Sequence, residues 1–534
     1  MQMSTEPRVL PDLARIGAAR FGSRTALGSL SSPTALTYQE LLERTRRAAA
    51  GLRARSLTMG DRVLLVAEGR PEWPVALFAI LEAGGIAVPI PASTAPPAVA
   101  AIASHAKARW TVVSEATARL ASALGDARLV MLEELTRSGP GNDPVASPSS
   151  AEDGVAMLAF TSGSTTAPRA VELTHRNLLA DLRSLLAMRR AEPGDAFLSM
   201  LPPAHLFELV GGLFGPLACG ARVVYAGVPL PNRIVAALRE ERITHALAVP
   251  ALLDALHQEV LDGLALAGLL EAARRHQRPS QTVRWFGEEL AQLQKEWIRE
   301  NVRDRIGSTF HTVVVGGAAV DPSWAEVLRP RGIALEVGYG LTEAGPIVSV
   351  GRAGECPPDS VGRPLPGIDV RVDDGGEILV RGDNVMRGYF EDPRATGEML
   401  QGGWLHSGDQ GHLDDRGFLF IDGRLKEVMV TAAGETLYPE EVEPYYESPQ
   451  FSEWCVVGLR GPDGNDVPTL VVVVAANSPR ELVEREYASL RAAAPARCRV
   501  AGVLVLDRPL PRTALGKVRR RALAQSLSAD QERP

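Results

Sequence analysis

Apolar positions along the chain follow two rhythms, and their alternation predicts the fold class before any motif is considered. Residues 12–55 carry helical spacing, with Leu36-Thr37-Tyr38-Gln39-Glu40-Leu41 leading into an Arg- and Ala-rich amphipathic segment. Arg62-Val63-Leu64-Leu65-Val66 is a short apolar run of strand length, Trp73 to Ala83 is a helix that Gly84-Gly85 end, and Ile86-Ala87-Val88-Pro89-Ile90 is the next strand. Strand, helix, strand predicts a βαβ unit and hence a parallel sheet covered on both faces. Residues 99–132 repeat the pattern, and residues 137–153, rich in Ser, Pro, Gly and Asp, predict an exposed loop. Val155-Ala156-Met157-Leu158-Ala159 reads as a strand, and Leu173-Thr174-His175 as the start of a helix that Thr174 caps. The α/β rhythm continues through Ala196–Leu201 and Arg222–Tyr225, a charged helical stretch over 252–304, and a strand at Thr312-Val313-Val314-Val315 that stops at Gly316-Gly317.

From about residue 360 the texture changes to short strands and Gly/Asp turns, such as Glu377–Val380 and Gly417–Ile421. Beyond Gly423 enough chain remains for a small domain of its own. The expected fold is therefore α/β, with parallel-rich sheets and a β-rich subdomain in a large N-terminal part, then a small C-terminal α+β domain. A chain of 534 residues is too long for one core in any case. Its net charge of −7 argues against general affinity for nucleic acid or anionic lipid. Cys219, Cys356, Cys455 and Cys498 lie far apart without a C-x-x-C pair, which suits a reducing compartment and gives neither a disulfide framework nor a zinc site. Met1–Pro11 lacks the apolar core of a secretory signal, and Val75–Ile90 is too short and too interrupted to span a bilayer, so the expected location is cytoplasmic.

The densest candidate chemistry follows the strand at 155–159. Phe160-Thr161-Ser162-Gly163-Ser164-Thr165-Thr166-Ala167-Pro168-Arg169 places five hydroxyls, a glycine and a cation within a few residues. A strand that breaks into such a turn offers backbone N–H and side-chain O–H donors to a polyanion, and the guanidinium can fork onto phosphate oxygens. It is not a Walker loop, because the second glycine and the Gly-Lys-Ser/Thr ending are missing. It resembles the phosphate loop of the adenylate-forming (AMP-binding) superfamily, and five further stretches match that superfamily in order. These are Leu201-Pro202-Pro203-Ala204-His205-Leu206-Phe207-Glu208, Gly338-Tyr339-Gly340-Leu341-Thr342-Glu343, Ser407-Gly408-Asp409, Asp422-Gly423-Arg424-Leu425-Lys426, and Pro511-Arg512-Thr513-Ala514-Leu515-Gly516-Lys517-Val518-Arg519.

The resemblance implies a division of labour. Thr161, Ser162, Gly163, Ser164, Thr165 and Arg169 would bind the ATP phosphates, Gly317 and Gly340 would also contact the nucleotide, and Tyr339 would lie against adenine. Thr342 would reach the α-phosphate, and Glu343 would ligate Mg²⁺, for which a hard carboxylate oxygen is suited. His205 would gate the carboxylate pocket, Asp409 would accept from the ribose hydroxyls, and Arg424 would contact the nucleotide. Lys426 would be the hinge between an N-terminal domain (1–422) and a mobile C-terminal domain (423–534) carrying the catalytic Lys517. Ala433 and Gly434 would line the channel for a thiol.

Within the superfamily, the segments His205–Glu208, Asn384-Val385-Met386-Arg387-Gly388-Tyr389-Phe390 and Leu437-Tyr438-Pro439-Glu440-Glu441-Val442-Glu443 look most like long-chain fatty acyl-CoA synthetases. The expected reaction converts a carboxylic acid and MgATP into an acyl-adenylate and pyrophosphate, then passes the acyl group to CoA. Two alternatives stay open: transfer to the phosphopantetheine of an acyl carrier protein, and a non-catalytic nucleotide- or acyl-binding relative. Four departures from the superfamily's pattern bear on them. Thr166 and Ala170 stand where it has glycine, Arg169 where it has lysine, and Ala433 puts a methyl group in the thiol channel. If position 166 needs positive φ, a β-branched residue costs about 1–3 kcal/mol there.

Overall fold

The computed structural model describes residues 6–123, 128–137, 151–161, 169–188, 191–228, 230–250, 252–260, 262, 305–318, 320–321, 323–357, 359–425, 427, 429–430, 436–437, 439–461, 466–474, 480–512 and 518–531. Two compact units emerge. One comprises Met1–Thr161, Arg169–Asp369 and Arg381–Glu398; the other comprises Ser162–Pro168, Val370–Val380 and Met399–Pro534.

The first unit holds two large sheets. In one, Arg62–Ala67, Ile86–Pro91 and Trp110–Val113 pair in parallel, joined by the helices Glu72–Glu82 and Pro96–His105, as the βαβ pattern predicts. Arg128–Met131 extends this sheet in parallel on one side, and Val155–Thr161 pairs in parallel with Ile86–Pro91 on the other. Glu72–Glu82 is apolar on every face, and each residue from Trp73 to Glu82 is buried, which is how a helix between layers differs from one on the surface. Leu64, Val66, Val88, Ile90, Val99 and Leu158 meet in one cluster of the core.

The other sheet has the strand order Arg363–Pro364, Ser349–Gly351, Ala334–Tyr339, Thr312–Gly316, His245–Ala248, Ala196–Ser199, Arg222–Tyr225, Thr25–Ser29, Leu36–Thr37. The six strands from Ala334–Tyr339 to Thr25–Ser29 run parallel. Here the helical expectation for 12–55 needs correction. Helices occupy Asp12–Phe21 and Tyr38–Ala54, but Thr25–Ser29 is a strand beside Arg222–Tyr225. Ala26 and Leu27 have no local β signal; pairing with a distant strand decides their state. The second helix starts with a capping box, in which Thr37 Oγ1 accepts from Glu40 N–H and Glu40 accepts from Thr37 N–H. Thr174 caps His175–Met188 as expected, with its Oγ1 accepting from Asn177 N–H at 3.1 Å. Of the stretch 252–304, residues 252–260 are helical and residues 263–304 lie outside the described residues.

The second unit contains an antiparallel sheet built from Asp369–Val372, Glu377–Arg381, Leu400–Gln401, Trp404–Leu413 and Leu419–Arg424. It also contains a three-stranded sheet of Phe451–Arg460, Asp466–Val474 and Gly502–Leu506, flanked by helices Arg480–Ala493 and Arg520–Gln531. Val456, Leu470 and Val472 face one side of that sheet with Val483, while Cys455, Val457 and Val471 face the other with Leu523 and Leu527. This period-two alternation is what a sheet covered on both faces requires. Among the described residues no disulfide forms, and no helix is long and apolar enough to cross a membrane.

Candidate active site

In the first unit the expected site residues gather at the C-terminal ends of parallel strands, where open α/β sheets place their ligands. Thr312–Gly316 and Ala334–Tyr339 run side by side with Gly316 opposite Gly338, so Gly317 and Tyr339-Gly340 leave the sheet together. Gly317 has φ +86°, a conformation strained for any residue with a Cβ. Gly340 is held for a different reason: a Cβ there would lie 1.8 Å from the carbonyl oxygen of Pro346. Backbone therefore packs on backbone just before the turn Thr342–Ala344, which carries Glu343.

Glu343 is fixed from the neighbouring strand system. Met386 N–H donates to its carbonyl at 2.8 Å, and the Tyr389 hydroxyl donates to Oε1 at 2.8 Å. Tyr389 belongs to the edge strand Gly388–Tyr389, which pairs with Arg169–Thr174 so that Tyr389 faces Val171. The Arg169 guanidinium lies over the Tyr389 ring, 5.2 Å from its centroid. Burial, followed by the adjacent Glu343 carboxylate, raises the phenol well above its ordinary pKa. It therefore stays a donor at physiological pH and leaves Oε2 of Glu343 for a hard cation such as Mg²⁺. Asn384 supports the same turn by donating to the Ala344 carbonyl at 2.6 Å, and Asn177 donates to the carbonyls of Asp383 and Val385.

Thr161 and Arg169 are directly opposite each other across the antiparallel pair Val155–Thr161 and Arg169–Thr174. The two ends of the hydroxyl-rich stretch are thus pinned, while Ser162, Gly163, Ser164, Thr165 and Thr166 lie outside the described residues. Ala170, where the superfamily has glycine, is buried in extended strand opposite Phe160, so its methyl group meets no backbone strain.

His205 and Glu208 flank a second feature. Residues Glu208–Phe214 form a π-helical segment, a rare geometry that frequently marks functional sites. Burial pulls the His205 imidazole down to about 4, so it is neutral, and its Nε2 is buried without a hydrogen-bond partner. Burial also pushes the Glu208 carboxyl up to about 8 against the opposing hydrogen bond from Ser199, and Glu208 Oε2 is similarly unpartnered. Phe207 reaches the strand end, where a Cβ on Gly316 would lie 3.4 Å from Phe207 Cζ.

Behind Phe207 an apolar cavity opens between one face of the sheet and the helical segments His175–Met188, Glu208–Phe214 and Gly215–Cys219. Leu185, Phe197, Leu247, Val314 and Ile347 line it, with His245 and Glu336 among them. Its apolar lining suits the body of a small organic ligand.

The second unit holds its own pair. Asp409 is buried on Trp404–Leu413, and Arg424 at the end of Leu419–Arg424 sits opposite it, with Nε 3.1 Å from Asp409 Oδ1. Asp409 N–H donates to Ser407 Oγ, and Glu377 accepts from Gly408 N–H at 2.9 Å while pairing with His406 at 2.7 Å. Lys426, Ala433, Gly434 and Lys517 lie outside the described residues, although an antiparallel bridge between Arg512 and Val518 brackets the last. Sequence reasoning missed Tyr389 as a site residue. It had used Gly388-Tyr389-Phe390 only as a likeness, and no spacing rule points from Tyr389 to Glu343.

Comparison with known proteins bears on the family and the fold. The family described as AMP-binding enzyme matches residues 15–390. A feruloyl-CoA synthase from an Amycolatopsis species is 31% identical over 458 residues, covering 83% of this chain and 85% of that protein. A long-chain-fatty-acid–CoA ligase from Mycobacterium bovis is 29% identical, covering 80% and 75% respectively. In fold, the chain is similar to the O-succinylbenzoate–CoA synthetase of Bacillus subtilis solved with ATP and magnesium ion, with a TM-score of 0.75, 23% identity, and coverage of 96% and 98%. With the match spanning the sheets that carry Arg169, Gly317, Tyr339, Glu343 and Tyr389, the chain belongs to the AMP-binding enzyme family.

Proposed function

We propose that this chain is an AMP-forming acid–thiol ligase that activates a carboxylic acid with an apolar body, a fatty acid in the first place, and transfers it to CoA. The observation that carries the reading is the Glu343–Tyr389–Arg169 assembly at the strand ends, beside an apolar cavity that begins at Phe207. In the first step an oxygen of the substrate carboxylate forms a bond to the α-phosphorus of ATP, and the bond from that phosphorus to the bridging oxygen of pyrophosphate breaks. In the second, the thiol sulfur attacks the acyl carbonyl, AMP leaves with the former carboxylate oxygen, and the thiol proton passes to solvent.

Both reactants of the first step are anions, so the protein's task is to neutralise charge and fix direction. Glu343 would hold the Mg²⁺ of MgATP, whose chemistry is charge neutralisation on the phosphates. Arg169, the hydroxyl stretch Thr161–Thr165 and Lys517 would add donors to the transferring phosphate, and Asp409 and Arg424 would hold the ribose and nucleotide. Residues 1–422 would carry the ATP and carboxylate sites, and residues 423–534 would turn about Lys426 to admit the thiol past Ala433 and Gly434. An arylalkanoic acid is the second reading, favoured by the flat Phe197–His245 ring pair in the cavity wall, with centroids 4.4 Å apart and planes 2° from parallel.

The test is pyrophosphate release with MgATP across saturated and aryl acids of graded length, first without thiol and then with CoA. Acid-dependent release followed by an acyl-CoA product supports the reading, and the preferred acid names the class. Adenylate that CoA cannot discharge transfers the second step to a carrier protein. ATP binding without release for any acid refutes it.

A further inference from the structure

The strands that end at the candidate active site begin at a second cluster that the ligase reading does not use. Ala196–Ser199, His245–Ala248 and Thr312–Gly316 are consecutive neighbours in the sheet. At their N-terminal edge stand Asp195, His245 and His311, each offering one ligand atom, and these atoms all lie within 4.8 Å of one another. Thr312, opposite His245, is four residue steps from Gly316, so the cluster sits about 13 Å along the sheet from the Gly316-Gly317 turn.

The backbone holds the three positions in a fixed frame. Thr244 N–H donates to the Ala196 carbonyl at 2.9 Å, His311 N–H donates to the Thr244 carbonyl at 3.1 Å, and Arg222 N–H donates to the Asp195 carbonyl at 3.0 Å. The side chains are oriented as well. Thr244 Oγ1 accepts from Ala196 N–H at 2.9 Å and gives its one proton to the Ala196 carbonyl at 3.1 Å. Thr244 Oγ1 also lies 2.8 Å from His245 Nδ1, which ties that ring nitrogen to the start of the strand; with the Thr244 proton on the Ala196 carbonyl, Nδ1–H is the donor and the ring lone pair is on Nε2. The ring is buried, flat against Phe197 and edge-on to His311 at 4.7 Å. His311 Nδ1 lies 2.9 Å from the buried hydroxyl of Thr312, the same arrangement one strand over. Asp195 Oδ2 accepts from Glu192 N–H at 2.7 Å, which fixes the orientation of the carboxylate. Imidazoles whose Nδ1 is fixed by a hydroxyl are oriented as metal ligands are, through the nitrogen that does not bind.

We propose that Asp195, His245 and His311 form a binding site for a borderline first-row divalent cation of the Zn²⁺ class, with water completing a four-coordinate shell. Two imidazole nitrogens and one carboxylate oxygen suit Zn²⁺ and Co²⁺ and disfavour Mg²⁺, which prefers oxygen donors and keeps its waters. Bonds of about 2.0 Å place tetrahedral ligand atoms roughly 3.3 Å apart, so binding an ion would draw the ligand atoms, now within 4.8 Å of one another, closer together by adjustment of the Asp195 and His311 side chains. The ion would clip the start of three strands, and through His245 it would fix one wall of the apolar cavity.

The experiment uses the full chain, stripped with EDTA and returned to chelator-free buffer with millimolar MgCl₂ to occupy hard carboxylate sites. Zn²⁺ is titrated by calorimetry, and Co²⁺ is followed by its visible d–d bands. One equivalent of Zn²⁺ binding over the Mg²⁺ background, with a four-coordinate Co²⁺ spectrum and a raised Tm, is expected. His311→Ala and Asp195→Asn should each weaken Zn²⁺ at least about tenfold, with Tm in EDTA unchanged from the parent. Glu343→Gln should leave the stoichiometry at one. No Zn²⁺ uptake above the Mg²⁺ background overturns the site. So does affinity that survives both substitutions, or an octahedral Co²⁺ spectrum in the parent, a reading independent of how any variant folds.

Discussion

Replacing Glu208 by Gln should remove one large contribution to the pH dependence of the first unit's stability, the one that falls as pH rises from 5 to 7. Glu208 is 1% exposed at the start of the π-helical segment, where an alanine at Gly212 would put its Cβ 2.7 Å from Glu208 Oε1. Among the described residues no cation answers it; its neighbours include Ser199 and the Tyr225 phenol, whose own pKa is raised by burial and then by Glu208. Burial raises the Glu208 pKa from 4.5 to about 8 in the folded chain. The folded state therefore retains a proton that the unfolded state has released, and stability falls as pH rises through this window. Below pH 4.5 both states are protonated and no penalty exists; above about pH 8 the folded state ionises too and the penalty levels off. Between pH 5 and 7 the loss is about 2.5 kcal/mol, from 1.36 kcal/mol per unit less the rounding at the acid end. An isosteric amide has no such term. Thermal unfolding of parent and Glu208→Gln, scanned from pH 5 to 7, should thus separate by roughly 5 °C in favour of the variant. Parallel Tm profiles would refute the assignment of a proton to Glu208 and with it the reading of this site as uncharged at neutral pH.

Tyr389→Phe removes one donor to a carboxylate and should slow pyrophosphate release by about tenfold or more, from the roughly 1.5–3 kcal/mol of a hydrogen bond to a charged group; an unchanged rate would separate Tyr389 from Glu343 functionally. Gly340→Ala should abolish soluble, cooperatively melting protein, because its Cβ would lie 1.8 Å from the Pro346 carbonyl oxygen; a normal Tm would contradict the packing at this turn. Val314→Phe, which fills the cavity from the sheet side, should shift preference toward shorter acids by about 1–3 kcal/mol per excluded methylene, read as ratios of kcat/KM across the acid panel. An unaltered profile would place the acyl group elsewhere.

What could be read from the sequence was whatever is stored locally. The βαβ unit over Arg62–Ile90 was legible because strand and helix have different apolar periods, and the cap at Thr174 because a hydroxyl before a helix has a local use. The ordered motifs named Glu343, Arg169 and Asp409 because each lies beside a recognisable turn. The strand Thr25–Ser29 was not legible, since its partner Arg222–Tyr225 lies far along the chain and only that pairing makes it a strand. Tyr389 was missed for the same reason: its contact with Glu343 is created by an edge strand that crosses from another part of the unit. The cluster Asp195, His245 and His311 carries no spacing signal at all. Its members are brought together only because three parallel strands begin in register.

That register links the two ends of the sheet. His245 lies opposite both Phe197 and Thr312, and two residues further on Leu247 lies opposite Val314, which lies opposite Glu336. Side chains two residues apart on a strand share a face, so the wall of the cavity and the imidazole at its far end belong to one continuous pattern. A slip of one residue in Thr312–Gly316 would turn Val314 away from the cavity and draw His311 from His245 in the same movement. It would also displace Gly316 from its place opposite Gly338 and so misplace the turn that leads to Tyr339, Gly340 and Glu343. Anything that fixes the entry ends of these strands, whether Thr244's hydrogen bonds alone or a cation on Asp195, His245 and His311, therefore fixes the exit ends where the candidate site residues Gly317, Tyr339 and Glu343 stand.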